Sequence, residues 1–174
     1  MKKAIQTRWA GPDDARLIAD LSHRTFYDSF AEYNTPEDME YFLTHQFPKD
    51  MLVAEVRSPG SLFLLAYLDG QVAGYARLYE SEAPGALRGG RSIEIVRLYS
   101  EQFGIGRGVG QALMEGCIGK AREMGKEWIW LGVWAHNHRA IAFYRKWGFE
   151  KFGEHIFILG HDPQTDWWMR LRLE

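Results

Sequence analysis

The chain has a single cysteine, Cys117, in 174 residues. That excludes an internal disulfide framework and a cysteine-based zinc site. Long hydrophobic runs are missing as well. The longest apolar stretch, Trp128 to Ala135, is far too short to span a bilayer. Charge of one sign is also lacking: 21 basic residues oppose 23 acidic ones, a net charge of −2. Such a balance gives no general drive toward nucleic acid or an anionic membrane. The start, Met1-Lys2-Lys3-Ala4-Ile5-Gln6, has basic residues with no apolar run behind them, so no signal peptide is expected and a cytoplasmic location is. His136 and His138 are two apart and His155 and His161 six apart, with no second ligand at helical spacing, so no metal is expected.

What is present is an ordinary globular composition, 46% apolar, 14% aromatic and 25% charged, of a size suited to one domain over residues 1–174. The charge is unevenly placed. Residues 13–50 hold nine acids against Arg16, Arg24 and Lys49, a net of −6, whereas the remainder carries +4. One region therefore suits a cation and the rest leans toward an anion.

Residues 4–10 read as a strand and 14–30 as a helix carrying Leu17, Ile18, Leu21, Phe26 and Phe30. In Asn34-Thr35-Pro36-Glu37-Asp38, Thr35 can cap, Pro36 fits the first helical position and Asp38 sits at the capping-box site, predicting a helix over 36–46. Residues 63–68 and 71–79, joined by Asp69-Gly70, form a hairpin. Residues 80–91 read as loop and 92–100 as a strand. Val109, Leu113, Cys117, Ala121 and Met124 recur at helical period, with Gly125 just past the end. Strands over 127–134, 149–159 and 165–173 follow, with a short helix between Asn137 and Gly148. The sum is an α/β (α+β) fold with a mixed, mostly antiparallel sheet and one strand–helix–strand crossover near 92–134.

Gly104, Gly106, Gly108 and Gly110 alternate just before the long helix. Glycines let a ligand approach the backbone, and the first helical turn leaves N–H groups unpaired at an electropositive end. Such a unit can cradle a diphosphate, or serve as a plain tight turn. No Gly-Lys-Ser/Thr closes it, which disfavours ATP, and the hairpin ahead of it does not fit a dinucleotide fingerprint.

One strand downstream stands Asn137-x-x-Ala140-x-x-x-Tyr144-x-x-x-Gly148-Phe149. Together with residues 93–114 this resembles the GCN5-related N-acetyltransferase superfamily over nearly the whole chain. A narrower resemblance, carried by Trp130-Leu131-Gly132-Val133-Trp134, Asn137-His138-Arg139-Ala140-Ile141, His155-Ile156-Phe157 and Gln164-Thr165-Asp166, with Thr25-Phe26 and residues 34–38, is to the PaiA-type polyamine N-acetyltransferases. The resemblance implies a splayed strand pair that binds acetyl-CoA as cosubstrate. It implies Gly106, Arg107, Gly108, Val109, Gly110 and Gln111 at the diphosphate, and Leu98, Tyr99 and Ser100 at the pantetheine amides. It implies Asn137 as helix cap and cofactor contact. The family often has Gln or Arg where Ile105 stands, a side-chain contact that Arg107 could supply in part.

The implied reaction is direct attack of a primary amine on a thioester, without a covalent enzyme intermediate. An ammonium has a pKa of about 10.4, so releasing its proton at pH 7 costs roughly 4.6 kcal/mol. Tyr144 fits the acid at the departing sulfur, against the plain reading of a core tyrosine beside Phe143. Glu94, placed by strict alternation on the face of Val96 and Leu98, is either the base or a strand glutamate paired with an arginine. The Leu98 N–H suits the carbonyl oxygen. Cys117 lies in the apolar stripe and reads as core.

The acceptor expected is a small-molecule amine, a polyamine such as spermidine or spermine. Asp28, Glu32, Glu37 and Asp38 would meet its charges, and Tyr27, Phe30 and Tyr33 its methylene stems. Trp134, with Trp167 and Trp168, lines the acceptor pocket or fills the core. Other acceptors weighed are a protein N-terminus, a lysine or an antibiotic amine, and a non-catalytic acyl-CoA-binding regulator is the rival outside enzymes. A homodimer is an expectation at family level, with no nucleic-acid or membrane partner.

Overall fold

The computed structural model describes residues 4–174, so the basic Met1-Lys2-Lys3 lies outside the described residues. Seven strands form one sheet: β1 (Ile5–Trp9), β2 (Leu62–Leu68), β3 (Gln71–Tyr79), β4 (Ser92–Ser100), β5 (Trp128–Trp134), β6 (Glu150–Leu159) and β7 (Asp162–Arg172), in the order β1-β2-β3-β4-β5-β7-β6. Every pairing is antiparallel except β4 with β5. That parallel step is made by the helix α4 (Val109–Glu123), the crossover expected near 92–134. The β2–β3 turn has positive φ at both Asp69 and Gly70, the twist a two-residue hairpin needs. Among the described residues, no helix is long and apolar enough to cross a membrane.

Helices cover both faces. On one, Val109, Leu113, Met114, Cys117 and Ala121 of α4 are fully buried against Leu64, Ala76, Leu78, Ile93 and Ile95. The helix α5 (His138–Lys146) adds Ile141 and Tyr144 to this core. Burial of each large apolar side chain contributes about 1.5–3 kcal/mol. On the other face, Ile18 and Leu21 of α1 (Ala15–Phe30) pack on Phe63, Leu65 and Tyr75. The segment expected as one helix over 36–46 is α2 (Pro36–Tyr41) continued by a π-helical turn, Phe42–Gln46.

Two differences from the sequence reading matter for the site. A helix α3 (Lys49–Arg57), absent from that reading, follows Pro48 and buries Leu52 and Val56. In β4, Arg77 faces Arg97 but Leu78 faces Ile95, so Val96 is an extra residue and the strand bulges there. The bulge reverses the alternation. Ile93, Ile95 and Leu98 lie toward α4, whereas Tyr99 packs with α1 residues. Glu94, opposite Tyr79, therefore shares its face with Arg97 and Tyr99, not with Leu98 as strict alternation predicts.

The α1–α2 region is fastened over the β6–β7 end of the sheet. The Asn34 side chain accepts from Gln164 Nε2 at 2.7 Å, Gln46 Oε1 from the Gly160 amide at 2.7 Å, and Asp38 Oδ1 from the His161 amide at 2.8 Å. Thr35 caps α2 as expected, accepting from the Asp38 amide.

Close packing fixes where α4 begins. A Cβ at Gly74 of β3 would stand 2.6 Å from the Tyr99 carbonyl oxygen and 2.8 Å from Val109 Cγ1. Gly74→Ala must therefore push β3, β4 and α4 apart, and should lower stability by about 1–3 kcal/mol in a urea melt.

Candidate active site

The parallel ladder between β4 and β5 has only three steps, Ser92–Trp128, Ile93–Ile129 and Glu94–Trp130. Beyond them β4 stays paired with β3 as far as Ser100, and β5 with β7 as far as Trp134. The two strands diverge, and the β5-facing edge of β4 from Ile95 to Ser100 has no ladder partner. The backbone groups of Leu98 and Ser100 turn toward that free edge, whereas those of Tyr99, expected there too, turn to β3, in step with the Glu101 amide that bonds the Ala73 carbonyl. The connections after β4 and β5 lead to the N-termini of α4 and α5, so both helices start at the wide end of the opening.

At the start of α4, Gly106 and Gly108 have φ of 76° and 91°, left-handed conformations that favour glycine. Among the described residues, the amides of Gly106, Gly108, Val109, Gly110 and Gln111 have no hydrogen-bond partner, whereas those of Gly104, Ile105, Arg107 and Ala112 do. Five free N–H groups at the positive end of a fifteen-residue helix can bind a phosphate or diphosphate. A Cβ at Gly110 would come 3.5 Å from the Phe143 ring, so α4 and α5 meet closely here. Arg107 Nη1 donates to the Phe103 carbonyl, and Gln111 Nε2 to Glu115 Oε1. Asn137 caps α5, its Oδ1 accepting from the Ala140 amide at 3.2 Å.

Tyr144, on α5, is 9% exposed and packs its ring near Phe143 and Phe149. Burial pushes its phenol well above the ordinary value, with a further upward push from Cys117. It therefore stays a neutral O–H donor. Burial pushes the Cys117 thiol up to about 12, as expected for a core residue without thiolate character.

Glu94 lies on the opposite face of the sheet. Burial raises its pKa, while a hydrogen bond from the Ser81 hydroxyl and the charges of Arg77, His155 and Arg97 act downward. Among the described residues it makes no ion pair with an arginine. Glu55 of α3 claims both candidates: Arg97 binds it through two nitrogens at 2.8 and 3.2 Å, and Arg77 Nη1 lies 3.5 Å away.

The predicted acids are not gathered into one cluster. Asp28 is on a groove that also holds Asp20, Arg24 and Lys49, and Lys49 pairs with Asp20 at 2.8 Å. Glu32 and Glu37 are exposed. Asp38 is engaged with the His161 amide and is part of the fold's fastening. Trp134, by contrast, stands at the opening with Tyr33 at 5.1 Å and Phe30 at 6.4 Å between ring centroids. Trp167 is on the α5 side, beneath Arg145 and Lys151. Sequence reasoning missed the pair His155 and Asp166, 3.7 Å apart on the Glu94 face. Their eleven-residue separation has no periodic signature, and only a hairpin register could have joined them.

The family model described as Acetyltransferase (GNAT) family matches residues 19–149. A protein of Lactobacillus delbrueckii subsp. lactis, described as an uncharacterized N-acetyltransferase, is 40% identical over 153 residues, 88% of each chain. Among solved structures, the PaiA N-acetyltransferase of Thermoplasma acidophilum in complex with coenzyme A superposes with a TM-score of 0.75 at 20% identity, covering 97% of this chain and 99% of that one. The ribosomal-protein-S18-alanine N-acetyltransferase of Escherichia coli gives a TM-score of 0.72 at 16% identity, covering 98% and 95%. At those identities the two structures share the fold.

The Glu94 environment is directly measurable. In a carboxyl-carbon NMR titration its midpoint should lie above the ordinary carboxylate range, because desolvation outweighs its favourable contacts. Ser81→Ala should move the midpoint further up, and an unchanged midpoint would show that the hydroxyl does not hold the carboxylate.

Proposed function

The chain belongs to the acetyltransferase (GNAT) family, and from that premise we propose that it moves the acetyl group of acetyl-CoA directly onto a primary amine, with a small polyamine such as spermidine or spermine as acceptor. The observation that carries this reading is the run of five unpartnered amides at the start of α4, packed at Gly110 against Phe143 of α5, the helix that also carries the buried Tyr144 phenol.

Acetyl-CoA supplies an acyl group activated as a thioester. The amides of Gly106, Gly108, Val109, Gly110 and Gln111 would hold its diphosphate. The free edge of β4, with the backbone groups of Leu98 and Ser100 on either side of Tyr99, would pair with its pantetheine amides, as an added strand does. Asn137 would order the start of α5 beside them. The Leu98 N–H is the donor for charge growing on the carbonyl oxygen. Tyr144, protonated by burial, gives a proton to the departing sulfur. Glu94, with its raised pKa, takes a proton from the acceptor ammonium. The two groups come from opposite faces of the sheet, so acid and base are kept apart.

The acceptor assignment rests on the acidic N-terminal region and on the aromatic wall of Phe30, Tyr33 and Trp134, which suits methylene stems between charges. Glu32 and Glu37 carry exposed carboxylates in that acidic segment, and Asp28 adds one from the separate groove of α1.

Calorimetry should detect acetyl-CoA binding by the wild type and by Tyr144→Phe alike, while the variant loses about 10²–10⁴-fold in kcat. Absence of binding in the wild type would overturn the reading. Across an amine panel, kcat/KM for spermidine should exceed that for a monoamine of equal length and fall as salt rises. Equal values would retire the polyamine in favour of a peptide or antibiotic amine.

A further inference from the structure

Asp166 of β7 is a carboxylate with no hydrogen-bond partner among the described residues, although its side chain is only 18% exposed. His155 Nε2, on β6, is 3.7 Å from Oδ2, too far for a hydrogen bond. Burial pushes the Asp166 pKa up, and the charge of His155 acts the other way. A carboxylate drawn out of water without donors is costly unless a cation reaches it.

The strand register puts this group beside the opening. β5 pairs with β7 without a bulge from Trp128 to Trp134, so Trp130, Gly132 and Trp134 share one face. Trp130 partners Glu94 in the last step of the parallel ladder, which makes this the Glu94 face. Trp134 stands directly opposite Asp166, and Gly132 opposite Trp168. Cross-strand partners project to the same side. The row on β5 thus runs from the point where β4 departs to the wide end of the opening, and its middle member has no side chain. A Cβ at Gly132 would stand 3.4 Å from His155 Nε2, 3.9 Å from Asp166 Oδ2 and 4.0 Å from Trp168 Cδ1. The carboxylate therefore borders a hollow above Gly132. The Trp168 ring, stacked on His155 with centroids 5.0 Å apart, borders it too, and Trp134 with Tyr33 at 5.1 Å stands beside it. An anion among indole rings suits an ammonium group on an alkyl stem.

Acetyl transfer neutralises only one nitrogen of a polyamine. Its other amino groups, with a pKa of about 10.4, enter the site as cations and stay so. We propose that Asp166 receives a non-reacting ammonium group of the acceptor in the hollow above Gly132, and so sets a preference for diamines and polyamines over monoamines. The assignment rests on the acetyl-transfer reading above and deepens its acceptor. It puts one acceptor charge on β7, apart from the exposed acids Glu32 and Glu37. No proton moves at Asp166, and Glu94 keeps the role of base. A monoamine has no second charge to offer and leaves the carboxylate unpartnered.

The test is the ratio of kcat/KM for spermidine to that for a monoamine of equal length. Asp166→Asn keeps the shape and removes the charge. It should cut that ratio by about 10–10²-fold, through a higher KM for spermidine at retained kcat. The salt dependence of spermidine turnover should flatten with it. Calorimetric affinity for acetyl-CoA should match that of the wild type, which reports a folded variant. Asp166→Ser, smaller and equally uncharged, should give the same loss of preference. An unchanged ratio in either folded variant, or an equal fall for both amines, would overturn the assignment. Failure of the underlying reading looks different: the wild type itself would bind no acetyl-CoA, or would show no preference for spermidine to lose, and the assignment would fall with it.

Discussion

The early end of the β4–β5 ladder, after Glu94 and Trp130, is the constraint on which the rest of the site depends. Each strand can leave the other because each has a second partner, β3 for β4 and β7 for β5, that keeps it extended. The divergence exposes backbone groups inside the molecule, and such groups demand partners. An amide-bearing ligand can supply them. Because both strands lead into helices at the same end, the opening is also electropositive there. One break in a ladder thus creates a slot for an extended chain and a seat for its anionic head.

The surroundings of Glu94 depend on a second set of contacts, centred on Glu55. A single carboxylate from α3 occupies Arg97 in a bidentate geometry and draws Arg77 to 3.5 Å. With both guanidiniums engaged, Glu94 keeps only the Ser81 hydroxyl and the more distant charges. Its carboxyl is buried without being locked into an ion pair, and burial raises its pKa. Through Glu55, the helix α3 holds the two arginines that would otherwise be free to pair with Glu94.

The parts of the site readable from sequence are those built by local rules. The glycine loop, the Asn137 cap and the position of Tyr144 two helical turns later follow from short-range geometry, and the starts of both helices lie at the wide end of one opening. The helix Lys49–Arg57 carried legible signals, with Pro48 before it and Leu52 and Val56 four apart, but nine residues between loops make a weak period. The bulge at Val96 was invisible, because an inserted residue changes the face of a strand without changing its composition. Asp38 looked like a binding acid until its partner, the amide of His161 on the far side of the chain, came into view.

The linear order of residues by itself determined the elements, the glycine-rich entry to α4 and the phenol of α5, since caps, turns and apolar periods act over a few residues. Only the folded chain decided which face Glu94 occupies, which arginines it loses to Glu55, and that His155 meets Asp166 above Gly132. Those outcomes depend on strand register and on partners brought together from distant segments. A one-residue shift in a strand reverses them, and no local pattern records it.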